Sequence, residues 1–161
     1  MANSYPGLAL GTIGFRSNSV VNVIANVPIL MGSAVQLVAG PSNELLPRVE
    51  PTDKTGGLVF GIAVGGDADG IYGDNTTPIL EINRAAVRSE QTVAILTQGR
   101  CLARVNGAVT LGQGLMATAA PLGVLVPLVG AAGNNKVAIV LIAQGASGLT
   151  VVDVQREGLD V

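Results

Sequence analysis

The sequence predicts an all-β protein, and three observations carry that expectation. Helical signals are almost absent, because Gly or Pro interrupts nearly every window long enough for three turns. Short β-branched runs recur between Gly-rich turns, the pattern of a sandwich or barrel. The apolar content, 48% of 161 residues, is nearly all Ala, Val, Leu and Ile, with only two Phe, two Tyr and no Trp. Small branched side chains pack on pleated strands better than they line a large ligand pocket.

The expected strands follow in order. Val20 to Val27 alternates in part and is β-branched; Ala34 to Ala39 and Leu45 to Val49 are shorter runs. Leu58 to Val64 lies between Gly56-Gly57 and Gly65-Gly66. Gln91 to Leu96 and Cys101 to Val105 flank an expected turn at Gln98-Gly99, and Asn106-Gly107 is a tight-turn signal. Val124 to Val129, Lys136 to Ala143 and Leu149 to Val154 complete the set.

Two stretches read differently. Residues 1–19 are rich in Gly, Ser and Asn and carry Tyr5, Phe15 and Arg16, which predicts an extended N-terminal arm ahead of a β domain at 20–161. Within that domain a long polar loop is expected at about 67–90; its Ile79 to Val87 piece fits either a strand or a helical turn.

An internal repeat is visible at an offset of 80, where residues 31–49 align without gaps on 111–129. Gly32, Ala39, Pro41, Leu45, Pro47 and Val49 match Gly112, Ala119, Pro121, Leu125, Pro127 and Val129. After a shift of two or three residues, Gly61 to Val64 meets Val137 to Val140. In a chain so rich in Ala, Val and Gly, the residues leave duplication and coincidence both open. Either way each segment reads as strand, Pro-containing turn, strand, then a longer apolar strand.

Chemistry is hard to build from this composition. Lys and Arg number 9 against 11 Asp and Glu, a net charge of −2, with no basic cluster and no aromatic platform; direct nucleic-acid binding is not expected. No histidine is present, so a Ser-His-Asp or Cys-His site cannot form and the commonest metal ligand is missing. The lone Cys101 reads as a small buried hydrophobe. A Schiff-base lysine would have to be desolvated, whereas Lys54 and Lys136 sit beside Gly or Asn turn residues where solvation is expected. A two-carboxylate mechanism stays formally open, but no enzymatic activity and no cofactor are expected. Asp67, Asp69 and Asp74 faintly match a calcium loop; without the full ligand pattern and its terminal Glu, the simpler reading is an acidic turn. The Gly spacings at 61–66 and 112–114 lack the Lys-Ser/Thr of a phosphate loop. No basic segment precedes an apolar run at the N-terminus, so no signal peptide is evident. The longest apolar run, Leu115 to Ala132, is broken by Thr118, Pro121, Gly123, Pro127 and Gly130, which argues against a membrane span.

Five features stand in order along Val27 to Ala143: Gly32-Ser-Ala-Val35, Val59 to Val64, Val93 to Arg100 with Ala103 to Gly107, Leu111 to Leu115, and Lys136 to Val140. In these the region resembles the capsid decoration, or cement, proteins of tailed bacteriophages and related archaeal viruses. The resemblance implies a compact β-barrel or β-tulip-like domain, made in a host cytoplasm, that binds the outer surface of a virion shell and stabilises it. Its implied partners are the major capsid protein and copies of itself, as a trimer. Tyr5, Phe15 and Arg16 in the arm would supply interface contacts. Another virion part, such as a head fibre or tail component, and a cellular ligand-binding β-module are the alternative readings.

Overall fold

The computed structural model describes residues 19–66, 86–130 and 134–155. Among them every regular element is a strand, as expected. The strands are β1 (Ser19–Ala25), β2 (Ile29–Leu30), β3 (Ala34–Val38), β4 (Arg48–Pro51), β5 (Gly61–Gly66), β6 (Ala86–Val87) and β7 (Thr92–Val105). β8 (Gly114–Ala117), β9 (Leu125–Pro127), β10 (Ala138–Val140) and β11 (Gly148–Val154) follow. The last two residues of the ambiguous Ile79 to Val87 piece are therefore strand: β6 pairs antiparallel with β2.

One expectation fails at an informative place. Gln98-Gly99 is no turn: β7 runs through it as a single strand of 14 residues. Gly99 sits at φ 120°, a conformation that side-chain-bearing residues avoid, so the strand can bend there without breaking. Asn106-Gly107 does not make a hairpin between neighbouring strands either. Gly107 has φ 94°, and its N–H is held by the Ser147 hydroxyl, which itself donates to Asn106 Oδ1 at 2.7 Å.

The sheet order is β1-β4-β3-β5-β7-β11-β10-β8-β9, with two further pairings, β1 to β7 and β7 to β9. Each closes a ring. β1, β4, β3, β5 and the first half of β7 form one five-stranded barrel; the second half of β7 with β9, β8, β10 and β11 forms another. The chain thus builds two barrels that share one strand, where the sequence led us to expect one.

The two barrels are copies of one design. In the first, β1 pairs parallel with β4 (Ala25 opposite Val49); in the second, β7 pairs parallel with β9 (Val105 opposite Leu125). Val35 faces Pro51 as Leu115 faces Pro127, and Ala34 faces Ile62 as Gly114 faces Ile139. Ser19 lies opposite Gln98 and Gly99 opposite Val154. Lone backbone bonds repeat as well. Gly32 N–H donates to Ala63 as Gly112 does to Val140; Asn26 donates to Val49 as Asn106 does to Leu125; Phe60 donates to Val35 as Val137 does to Leu115. Gly32 and Gly112 share φ 79°. The repeat is real, although the ungapped alignment misplaces its prolines: the structural partner of Pro127 is Pro51, because the β3–β4 loop is longer than the β8–β9 loop.

Each barrel has its own core. Val23, Ala25, Ile29, Val35, Val49, Ala63 and Ile95 fill the first. Ala103, Val105, Val109, Leu115, Leu125, Val140 and Val152 occupy the corresponding places in the second. Alternation along the closing strands drives this burial, since successive side chains point in and out.

Candidate functional site

The barrels meet along a seam around the middle of β7. Ala34, Ile62 and Leu96 belong to strands of the first barrel but pack into the core of the second. Across the seam, Arg104 N–H donates to Gly32 O at 2.8 Å and Arg104 Nε to Met31 O at 2.9 Å. Ala34 N–H donates to Gly123 O at 2.7 Å, and Gly123 N–H to Thr52 O at 3.0 Å. An apolar cleft of about 220 Å³ opens on this seam, lined by Met31, Ala63, Val64, Cys101, Leu102 and Leu149. It offers neither a charged side chain nor a convergent polar set. Cys101 lies against the core here, as its reading as a small hydrophobe required. Burial, with a contribution from Asp153, pushes its thiol up to about 12, so it stays protonated at neutral pH. Burial likewise lowers the pKa of Arg104.

A polar cluster marks the far end of the first barrel. Arg48, only 8% exposed, spans Glu44 and Glu90 with its guanidinium. Nε bonds Glu44 Oε2 at 2.6 Å, Nη1 and Nη2 bond the two oxygens of Glu90 at 2.6 Å each, and Nη1 reaches Asn26 Oδ1 at 3.2 Å. The guanidinium hydrogen bonds hold both carboxyls below their ordinary value, and the two carboxylates raise the pKa of Arg48 in return. Glu90 adopts φ 67° in the turn before β7, an uncommon conformation for a residue with a side chain, which the ion pair pins. Such a planar fork between two carboxylates is a clamp: it joins β4, the end of β1 and the 88–91 turn, and it leaves no donor pointing at an open cleft.

Tyr5, Phe15 and Arg16, and the acidic set Asp67, Asp69 and Asp74, lie outside the described residues. Lys54 is exposed in the turn before β5. Among the described residues no group of three or more Cys, Asp or Glu could hold a metal ion, and no helix is long and apolar enough to cross a membrane.

The geometry defines a class, an all-strand protein built from two fused five-stranded barrels. Among solved structures it is similar to the N base of head fibre gp8.5 in bacteriophage phi29, with a TM-score of 0.58 at 9% identity. The likeness covers 90% of this chain and 100% of that one, too much for either barrel to lie outside it. At that identity the two share a fold. No family model and no curated protein sequence matches the chain.

Proposed function

We propose that the chain is a structural component of a virion, seated on the outside of a capsid in the manner of a head-fibre base. The observation that carries this reading is the full-length likeness to the phi29 fibre base. The chemistry agrees with it: the seam cleft is apolar, the buried arginine is consumed by its carboxylates, and the thiol is kept protonated. In this reading the role is architectural, not catalytic, and the partner is the major capsid protein. Residues 1–19, with Tyr5, Phe15 and Arg16, supply a capsid-binding arm.

Capsid decoration is the second reading, favoured by the motifs from Gly32 to Val140 that resemble cement proteins. Both are tested by adding the full chain to assembled empty shells and measuring co-sedimentation and the temperature at which shells open. Binding that leaves the opening temperature unchanged supports a fibre base. Binding that raises it supports cement, whose role is to hold the shell closed. Absence of binding overturns both.

A further inference from the structure

The seam between the barrels is a contact of two faces, and the duplication gives the molecule a second example of each. The leading face, on the first barrel, is built on Met31, Gly32, Ala34 and Ile62. Most of it is covered: a Cβ on Gly32 would stand 2.7 Å from Leu149 Cδ2, Ala34 and Ile62 have no exposed surface, and Met31 is partly buried at the cleft. The receiving face, on the second barrel, is built on Leu102, Arg104, Leu149 and the 119–123 turn.

Matching the repeats residue by residue places an unused leading face on the second barrel. Leu111 stands where Met31 does, Gly112 where Gly32 does, Gly114 for Ala34 and Ile139 for Ile62. There the surface is open except at Gly114, where a Cβ would meet Lys136 Cδ at 3.3 Å and Leu128 Cδ2 at 3.4 Å. Leu111 is 73% exposed, nothing lies within 4 Å of a Cβ on Gly112, and Ile139 is only partly buried. The same matching places an unused receiving face on the first barrel. Asn22 and Ile24 take the places of Leu102 and Arg104, and the longer β3–β4 loop takes that of the 119–123 turn. That loop presents Leu45, 100% exposed, and the exposed Leu46. The joint repeats too: Val154 occupies the place of Gln98, and Ser19 that of Gly99.

We propose that copies of this chain associate head to tail, the Leu111 face of one second barrel docking on the Leu45 side of the next copy's first barrel. The occupant is a second copy because the contact already exists once inside each chain, although one seam bond would not repeat: Ile24 N–H, in the place of Arg104 N–H, already donates to Pro47 O at 2.9 Å. Large apolar side chains left in solvent on both faces are what such an interface would remove from water. A contact between two different faces is heterologous, so it closes into a ring or extends as a filament. The inference stands apart from the virion reading, because it uses the repeat and the seam alone.

The test is sedimentation velocity over a concentration series on the full chain and on Leu111→Glu and Leu45→Glu. The wild type is expected to sediment as an oligomer, and each variant alone as a folded monomer with one cooperative melt that no longer depends on protein concentration, since both side chains are exposed. Mixing the two variants is expected to yield a 1:1 dimer that grows no further: the Leu45→Glu copy keeps its leading face and the Leu111→Glu copy its receiving face. A monomeric wild type, single variants that still assemble, or a mixture that stays monomeric would each overturn the proposal.

Discussion

The first barrel is tied at its far end by ions; the second does the same task without a charge. In the second barrel the places of Asn26, Arg48 and Glu90 are taken by Asn106, Val124 and Ser147, and the Ser147 hydroxyl bonds Asn106 directly. A shallow cleft bordered by Asn106, Val124 and Ser147 remains where Arg48 would reach. The cores trade volume position by position: Val35 and Val49 of the first barrel correspond to Leu115 and Leu125 of the second, whereas Ile29 and Ile95 correspond to Val109 and Val152. One backbone plan therefore tolerates two ways of holding its corner, each giving the polar groups at that corner a partner.

That comparison can be broken most forcefully in the cores. Leu115→Ala should cost about 2–5 kcal/mol, the usual range for a buried Leu, and Val35→Ala distinctly less, because fewer methyl groups leave the interior. Chemical denaturation of both variants checks the order. Since β7 belongs to both barrels, each variant should still unfold in one transition; two separated transitions would show the barrels to be independent.

A smaller effect is expected where the repeats hold different small residues. Gly61 matches Ala138, yet a Cβ at 61 would collide with the carbonyl oxygen of Leu96 and stand 2.5 Å from Ile95 Cγ2. Gly61→Ala should therefore destabilise by about 1–3 kcal/mol, as overpacking does. Ala138→Gly should cost about 0.5–1 kcal/mol, the entropic penalty of glycine in a strand. Thermal melts showing equal losses would deny that the two sites differ in space.

The smallest effect concerns acid. Glu44 and Glu90 have folded-state pKa values below their unfolded value of about 4.3. Their contribution is thus present above that value and fades as pH falls through the lowered folded pKa. Wild-type stability should drop on acidification, and Arg48→Met should flatten that part of the profile while lowering stability at neutral pH. Melting temperatures of both proteins from pH 7 to pH 3 decide it; parallel curves would assign the acid sensitivity elsewhere.

Much of this fold was legible in the residues, and the gaps have physical causes. Strands such as β1, β3 and β11 announce themselves by β-branched alternation. The continuity of β7 was hidden because Gln-Gly ordinarily marks a turn, whereas here the glycine, at φ 120°, lies inside a strand that serves two barrels. The repeat surfaced through Gly32 and Gly112, but the extra loop length around Leu45 shifted Pro47 into the place of Pro51. β2 and β6 are too short to carry a period. The clamp was invisible for another reason: Glu44 is near Arg48 in sequence, but Glu90 comes from a stretch that reads as a polar loop. Seam faces leave no residue signature at all, because Gly, Ala and Ile at 32, 34 and 62 look like any strand interior.

The position of the two ends of the described fold has a mechanical consequence. Ser19 and Val154 lie opposite Gln98 and Gly99, two consecutive residues of one strand. Tension applied through those ends would enter and leave at the waist of the molecule, crossing only a few backbone hydrogen bonds. The load would bypass both apolar interiors, so the two barrels could hang from a strained tether without being pulled open themselves.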